Sequence, residues 1–243
     1  MSRLVSVAHG SVDGSSYSYD SAGNRTAKTS VLSGLTDTYG YDVLYQLKSV
    51  LEGGRSTESY TYDAVGNRLS SLGVSPYSYN VSNQLVSTPS YTFTYDANGN
   101  MLTRTSSSGS TSYGWDYENR LALVAIPQDD GTTSTVTFQY DPFGRRIYKS
   151  SSSGTAIYAY DGANIVAEVN ASGTYVAKYA QGAGIDEPLA MQRGGSTAYY
   201  NADGLGSITS LTGGTGVLAS TYTYDSFGNT TATEGIHNPF RYT

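Results

Sequence analysis

One short pattern of aromatic and polar positions recurs along almost the whole chain. Its clearest copy runs from Tyr60 to Leu69: two aromatic rings separated by one polar residue, then an acidic residue, and a glycine three residues after that. Strand side chains alternate between the two faces of a sheet, so the aromatic-polar-aromatic pattern places both rings on one face of an extended strand. The pattern therefore predicts a strand that runs into a turn.

The acidic residue and the glycine predict the turn itself. We expect the carboxylate to accept hydrogen bonds from backbone N–H groups within the turn, and the glycine to take a positive φ. A new strand follows, so each copy predicts a β-hairpin.

The residues predicted to build the repeat fall into four sets. The first aromatics include Tyr17, Tyr39, Tyr60, Tyr77, Tyr158 and Tyr222. The second aromatics are Tyr19, Tyr41, Tyr62, Tyr79, Tyr95, Trp115, Tyr140, Tyr160 and Tyr224. The turn acids are Asp20, Asp42, Asp63, Asp96, Asp116, Asp141, Asp161 and Asp225. The turn glycines are Gly23, Gly66, Gly99, Gly144 and Gly228.

Two kinds of turn alternate along the chain. The copies that begin at Tyr41, Tyr79, Trp115 and, loosely, Tyr160 lack the glycine, and they alternate strictly with copies that have it. Successive turns of a meander lie at opposite edges of its sheet. The alternation therefore predicts one glycine-rich edge and one glycine-free edge.

Composition agrees with an all-β fold. The 243 residues include 28 glycines and 24 tyrosines, which disfavour helix and suit short strands with tight turns. The hydrophobic content of 38% is low for a compact globule of this length. We therefore expect tandem hairpins in a curved or spiral antiparallel sheet, whose second face meets solvent or a lumen.

Charge and cysteine content exclude several classes of partner. A net charge of −6 argues against nucleic acid and anionic membranes, because phosphate binding needs clustered cations. The absence of cysteine excludes disulfides and cysteine-based metal sites. No segment has the roughly 20 consecutive apolar residues of a spanning helix, and no signal peptide precedes the repeats.

Candidate catalytic groups are sparse. The adjacent carboxylates Asp129–Asp130 and Asp186–Glu187 point to opposite faces of an extended chain, so neither pair converges on a substrate, and loop or cap roles explain them. The only histidines, His9 and His237, lie near the two termini. We therefore predict no catalytic residues and no enzyme activity.

A calcium loop is the best metal alternative. Asp96–Asn100 offers oxygen ligands at alternate residues, but its glycine is the fourth residue of the loop rather than the sixth, and the twelfth position is Ser107. A hairpin turn explains the segment better. We predict no metal and no cofactor.

Taken together, these motifs resemble the Rhs/YD-repeat family, which includes Rhs toxins, wall-associated proteins, toxin-complex C proteins and the teneurins. The resemblance rests on the Tyr-x-Tyr-Asp-x-x-Gly-Asn-Arg units and on four later segments: Gly184–Ala190, Asp203–Ile208, Tyr222–Asn229 and Asn238–Tyr242. It implies a β-sheet strip that spirals into a hollow shell and often encloses a C-terminal toxin.

The resemblance also divides the chain. We expect a partial first repeat over residues 1–16, tandem YD repeats over 17–180, and divergent C-terminal Rhs repeats over 181–243 that stop before the core-capping and self-cleavage segment. Within the last part, Asp186 and Pro188 favour one helical turn between residues 181 and 189.

Two functions follow as expectations. The first is a structural shell segment, secreted or at the bacterial cell surface. It would enclose a polypeptide toxin as part of a larger Rhs polypeptide, or associate with other copies through strand edges into a filament or ring. The second is an extracellular adhesive module that binds carbohydrate or protein. A wall predicts that rings such as Tyr19, Tyr62 and Tyr95 pack in register within the sheet, whereas a glycan binder predicts tyrosines exposed around one groove.

Overall fold

The computed structural model describes residues 3–242 as an all-β protein. These residues form 24 strands and no helix. Each described strand pairing is antiparallel, and the strands follow one another in chain order within each sheet. Residues 1, 2 and 243, at the ends of the predicted first and last segments, lie outside the described residues.

Unit 1 consists of the described residues up to Tyr60 and from Ala177 onward. Its N-terminal strands are β1 (Ser6–His9), β2 (Asp13–Tyr19), β3 (Arg25–Ser30), β4 (Thr36–Tyr41), β5 (Leu47–Glu52) and β6 (Arg55–Ser59). Its C-terminal strands are β19 (Tyr175–Gln181, which begins two residues before the unit), β20 (Pro188–Arg193), β21 (Ser196–Ala202), β22 (Ile208–Gly213), β23 (Leu218–Tyr224) and β24 (Thr230–Glu234).

Unit 2 is the intervening segment, Thr61–Val176. Its strands are β7 (Thr61–Tyr62), β8 (Arg68–Ser70), β9 (Ser78–Tyr79), β10 (Leu85–Ser87), β11 (Thr92–Tyr95), β12 (Met101–Ser106), β13 (Gly109–Trp115), β14 (Leu121–Pro127), β15 (Thr133–Tyr140), β16 (Arg146–Ser151), β17 (Gly154–Asp161) and β18 (Asn164–Val169).

A packed core lies within unit 1, between its N-terminal and C-terminal strands. The Asp13 carboxylate, only 2% exposed, accepts hydrogen bonds from the hydroxyls of Thr209 and Ser210, both at 2.6 Å. Around this polar contact the two sets of strands bury large side chains. These include Tyr17, Val50, Tyr60, Tyr179, Met191, Tyr200, Ile208, Leu211 and Tyr222.

Unit 2 has almost no buried residues. Only Thr111, Ala167 and Glu168 are buried among its residues, and the side chains on both faces of its strands are otherwise half-buried or exposed. Hydrogen bonds between successive strands, rather than a hydrophobic core, therefore hold this unit together.

Every second aromatic except Tyr224 lies at a β-bulge. Tyr140, for example, pairs with Arg146, whereas its neighbour Gln139 pairs with Tyr148, so one residue of the following strand is extra. The same shift in register occurs in the first eight repeats. The bulge bends the ladder where it meets the motif turn.

The prediction that the two kinds of turn occupy opposite edges is wrong. Each repeat contributes two strands, and a second turn of unrelated sequence, such as that between Ser106 and Gly109, leads to the next repeat. Every motif turn is therefore two strands from the one before, which places motif turns with and without glycine along one edge.

The predicted helical turn at residues 181–189 is also absent. Gln181 pairs with Pro188 in the β19–β20 ladder, and the chain between them is a short loop. Asp186 has a φ of +58°, outside the helical region, and the Glu187 carboxylate accepts from the Gly184 N–H at 3.0 Å. Pro188, predicted to lie in the first turn of the helix, is instead the first residue of strand β20.

The turn conformation generates a stability prediction. Gly144 has a φ of +80°, and no atom lies within 4 Å of an added Cβ, so only the backbone conformation opposes a side chain there. We expect Gly144→Ala to lower the free energy of unfolding by about 1–2 kcal/mol, and Gly144→Asn to lower it less, because Asn tolerates the left-handed region. Urea denaturation measures both.

Gly214 provides the matched control. It also has open space around its Cβ position but lacks a left-handed φ, so Gly214→Ala should leave the unfolding free energy nearly unchanged. Equal losses for Gly144→Ala and Gly144→Asn would contradict the conformational explanation.

Candidate functional site

The motif turns are closed by their acidic residue. The Asp20 Oδ1 atom accepts from the main-chain N–H groups of Gly23 at 2.7 Å and Asn24 at 2.9 Å, and its Oδ2 accepts from the Asn24 side chain at 2.8 Å. Asp63, Asp96 and Asp225 repeat these contacts with the asparagine four residues later. Both carboxylate oxygens are therefore engaged within the turn.

These hydrogen bonds favour the ionised carboxylate. The side-chain hydrogen bond from the following asparagine is the largest cause of the lowered pKa of Asp20, Asp63 and Asp96, and backbone N–H groups lower it further. For Asp116 the leading cause is the backbone N–H of Arg120, whose guanidinium also pairs with the carboxylate at 2.7 Å.

The turns without glycine have the same geometry. Tyr45, Asn83 and Asn119 occupy the glycine position with φ of about +60°, and each N–H returns to the carbonyl of the turn's first residue, as in the glycine turns. Asn80 replaces the acid in one of them, and its Oδ1 accepts from Ser82 and Gln84. One turn conformation therefore serves both sequences.

Side-chain hydrogen bonds join most neighbouring turns of unit 2. Asn67 donates to the Asn83 side chain at 3.0 Å, and Asn100 donates to the Asn119 side chain at 2.8 Å. Arginines make further contacts of this type. Arg120 donates to the Asp141 carbonyl at 3.3 Å, and Arg145 donates to the Gly162 carbonyl.

Eight of the nine second aromatics donate a described hydrogen bond to a carbonyl that precedes their own repeat. The Tyr140 hydroxyl donates to the Leu121 carbonyl at 2.8 Å, and the Trp115 indole N–H donates to the Met101 carbonyl at 2.8 Å. Tyr19, Tyr41, Tyr79, Tyr95, Tyr160 and Tyr224 donate in the same way to Leu4, Arg25, Arg68, Leu85, Arg146 and Ile208, respectively. We call these contacts the aromatic links.

Each link replaces ladder hydrogen bonds where neighbouring strands separate. The β14–β15 ladder begins only at Leu123, which pairs with Thr137, so the Tyr140 hydroxyl supplies Leu121 with a donor that the ladder does not. Burial of the hydroxyls in these contacts raises the pKa of Tyr95 and Tyr160. The phenols therefore stay protonated and able to donate.

Arginines lie over the aromatic rings. The Arg25 guanidinium is 4.5 Å from the centre of the Tyr39 ring, and Arg146 lies over both Phe138 and Tyr158. The sequence predicted that stacked rings join the repeats. The contacts described at these positions include hydroxyl-to-carbonyl links and arginine–ring pairs, and the packing of rings in register stays a prediction.

A cavity of about 620 Å³ lies within unit 1, between strands of its N-terminal and C-terminal parts. Lys28 and Asp203 form an ion pair at 3.0 Å in its wall. Asp37 of β4 pairs with Lys28 of β3 on one side and with Glu52 of β5 on the other. The carboxylates of Asp37 and Glu52 are therefore cross-strand neighbours. Burial and then Glu52 raise the pKa of Asp37 above its usual range.

The predicted residues thus divide by location. The turn acids and glycines lie in the motif turns, with one difference: Asp161 is exposed at the end of β17, and the next turn is a tighter one in which Gly162 takes the left-handed conformation. The first aromatics Tyr17, Tyr60 and Tyr222 are buried in unit 1, whereas Tyr39, Tyr77 and Tyr158 are half-buried.

Sequence reasoning missed several residues that make these contacts. Asp13 belongs to no motif, the arginines are part of the motif but were given no contact with the rings, and the carbonyls that accept the links are invisible in a sequence. One signal was available for the links: every second aromatic is Tyr or Trp, both of which carry a donor, whereas Phe93 and Phe138 occupy only first positions.

The described side chains of the repeats contact their own turns and the neighbouring strands. Residues 3–242 hold no group of three His, Cys, Asp or Glu side chains arranged to bind a metal ion. His9 reaches the Ala202 carbonyl at 2.8 Å, and His237 is exposed, so neither is paired with a nucleophile in the described contacts. Over the same residues, no helix is long and apolar enough to cross a membrane.

The aromatic links generate the next prediction. Tyr140→Phe removes the hydroxyl but keeps the ring beneath Arg120, so we expect a loss of about 0.5–1.5 kcal/mol in unfolding free energy. Thermal melts should show this as a decrease of about 2–4 °C per kcal/mol. Tyr117→Phe, at a fully exposed tyrosine, is the control and should change nothing. An unchanged melt for Tyr140→Phe would refute the link.

The two kinds of carboxylate predict opposite pH effects. The pKa of Asp20 is lowered in the fold, so its stabilisation is present above pH 3.8 and disappears as the pH falls through the lowered value. The pKa of Asp37 is raised, so its ionisation destabilises the fold at neutral pH, and this penalty disappears as the pH falls through the raised value.

Asp20→Asn should therefore lower stability at pH 7, and Asp37→Asn should increase it. Both differences should shrink as the pH approaches the acid range, where the carboxyls of the original protein are protonated. Urea denaturation at a series of pH values measures them. The same sign for both variants at pH 7 would contradict this explanation.

Comparisons with known proteins agree with this geometry. The family model described as teneurin YD-shell matches residues 6–237. Two relatives are 33% identical over 169 residues, which is 68% of this chain: a tRNA3(Ser)-specific nuclease WapA of Bacillus spizizenii and a tRNA nuclease WapA of Bacillus subtilis. The chain spans only 7% of the length of each.

A solved structure shares the fold. The Tc holotoxin pore of Photorhabdus luminescens aligns with a TM-score of 0.52 at 15% identity, covering 96% of this chain and 16% of that one. Together with the YD turns and aromatic links, the match over residues 6–237 shows that this chain belongs to the teneurin YD-shell family.

Proposed function

We propose that this chain is a wall segment of a longer YD-shell polypeptide, and that the wall encloses a polypeptide cargo such as a toxin. One observation carries the proposal: the recurring side chains of the repeat join one hairpin to itself or to the next. Asp carboxylates close the turns, and aromatic hydroxyls bind the preceding repeat. Contacts of this kind join hairpins into a sheet. They also occupy the recurring polar side chains, which a catalytic site would otherwise need.

In this proposal the chain itself is not an enzyme. The WapA relatives carry a nuclease name, but this chain corresponds to only a small part of their length, and the part it matches consists of repeats. We therefore assign the nuclease activity of the WapA proteins to parts of them that this chain does not match.

The family and the Tc toxin neighbour support a secreted or cell-surface setting. The partners in this proposal are the remainder of the longer polypeptide with its cargo, or other copies of the chain. Strand β24 supports the second kind of partner, because all five of its residues are exposed at an edge of its sheet. Exposed edges of this kind pair readily with other strands.

A protection experiment tests enclosure. The natural polypeptide that contains these repeats is digested with a protease, and cleavage of segments outside the repeats is followed by mass spectrometry. Asp96→Ala/Asp141→Ala removes the carboxylates that close two turns of unit 2. We expect those segments to be cleaved at least about threefold faster in this variant, because opening of the wall exposes them.

Asp129→Ala/Asp161→Ala is the matched control. It also removes two acids from unit 2, but both side chains are exposed and neither closes a turn. Its digestion should follow that of the original protein. Equal cleavage in all three proteins would refute enclosure, and turnover of a substrate by the isolated 243-residue chain would refute the non-enzymatic role.

A further inference from the structure

The cavity of unit 1 lies against one face of the six-stranded sheet formed by β1–β6. Its lining on this side includes Ser15, Lys28, Ser30, Asp37 and Glu52, and the opposite wall comes from the C-terminal strands and turns of the unit. Ser15 pairs with Ser30, and Lys28 pairs with Asp37. Because residues two apart on a strand point to the same side, these polar side chains share one face of the sheet.

Two carboxylates of this wall are not engaged by the chain. Asp37 is half-buried and Glu52 is exposed, and neither has a hydrogen bond or an ion pair within residues 3–242. The other acids of the lining have partners: Asp203 pairs with Lys28, Glu58 accepts from a turn N–H, and Asp225 accepts within its own turn.

The unpaired carboxylates repel each other. Asp37 and Glu52 are directly opposite on β4 and β5, and like charges in that position destabilise a sheet. Burial, and then the charge of Glu52, raise the pKa of Asp37, in agreement with this repulsion. A cation between the two side chains removes the repulsion and stabilises both charged forms.

The cations of the chain near this pair have other contacts. Lys28 pairs with Asp203 at 3.0 Å, and the Arg25 guanidinium lies over an aromatic ring. Arg55 pairs with Glu52 in the β5–β6 ladder, but the described contacts include no ion pair between their side chains. The site therefore has room for a cation that the chain itself does not supply.

A buried hydroxyl lies further along the same face. Ser15 is only 5% exposed and lines the cavity, and its hydroxyl has no hydrogen-bond partner among the described residues. Burial of a hydroxyl without a partner costs free energy, so a ligand group that bonds to it is favoured. Ser15 lies two strands from Asp37, roughly 10 Å across the sheet. A ligand that reaches both groups must be long and must carry polar groups at both ends.

We propose that this cavity binds a linear polyamine, with one ammonium group between Asp37 and Glu52 and a second amine at the Ser15 hydroxyl. An alkylammonium group has three N–H donors and bonds to both carboxylates at once. Leu32 and Leu35, in the turn that joins β3 to β4, line the cavity and offer an apolar surface to the methylene chain.

The size and the donor set of the cavity suit such a ligand. A volume of about 620 Å³ is typical of small-molecule sites. A metal ion fits less well, because the part of the chain that the structure describes has no three acidic or histidine side chains placed to bind one. This inference concerns unit 1 and does not depend on enclosure of a cargo.

Calorimetric titration of the purified 243-residue chain at physiological salt tests the ligand class. We expect saturable binding of spermidine, a linear triamine. Nα-Acetyl-lysine amide carries the same ammonium group as a polypeptide side chain but is too short to reach Ser15, so it should bind more weakly. The uncharged 1,6-hexanediol should not bind. Absence of spermidine binding, tighter binding of the lysine amide, or equal binding of the diol would overturn the proposal.

A pair of double variants separates the site from general attraction to an acidic chain. Asp37→Asn/Glu52→Gln should weaken spermidine binding at least about tenfold. Asp129→Asn/Asp161→Asn removes two acids as well, but from exposed positions outside the cavity, and should bind like the original chain. Equal losses in both would overturn the proposal. Since Asp37→Asn is expected to stabilise the fold, thermal melts should exclude unfolding as the cause.

Ser15→Ala tests the second contact. It should weaken spermidine binding at least about threefold and leave binding of the lysine amide unchanged, because only spermidine reaches the hydroxyl. The variant should melt no lower than the original chain, since the hydroxyl has no partner in the described fold. An unchanged affinity for spermidine, or the same loss for both ligands, would overturn the placement of the second amine.

Discussion

The hydrogen bond from a second aromatic to a carbonyl of the preceding repeat is the contact on which the sheet depends. Next to a motif turn the bulge shifts the register and neighbouring strands separate, as at the end of the β14–β15 ladder. A main-chain carbonyl there would have no ladder donor. The hydroxyl of Tyr140 or the indole of Trp115 reaches across and supplies one. Successive hairpins therefore stay joined at the edge where their own turns would otherwise force them apart.

This requirement explains which residues can vary. The second position needs an aromatic with a donor, and the chain uses only Tyr and Trp there, whereas the first position also accepts Phe. A similar argument applies to the turns. The left-handed position needs glycine or a residue that tolerates it, and where it is Asn83 or Asn119, its side chain accepts a hydrogen bond from the turn before. Alternation of glycine and asparagine thus joins turns in pairs.

Local features of the fold could be predicted from the sequence, and features that depend on distant residues could not. The strands, the Asp turns and the positive φ of glycines such as Gly144 follow from a ten-residue pattern, because their causes lie within one hairpin. The edge assignment failed because the pattern does not show the second turn of each repeat. The core of unit 1 was invisible for a different reason. Asp13 meets Ser210 across 197 residues of sequence, and nothing in the local pattern specifies which distant strand covers it.

The contrast between the two units shows what the repeat itself supplies. Unit 1 buries aromatic and aliphatic side chains between its two sets of strands, whereas unit 2 has the same repeats with three buried residues. What the units share is the set of contacts between neighbours: carboxylate turns, aromatic links and arginines over rings. Energies of that kind add from one repeat to the next and do not depend on how many repeats there are. A chain built on them can be lengthened by whole hairpins without a new core. The hydrophobic core of unit 1 is an addition made where strands of two different sheets pack together.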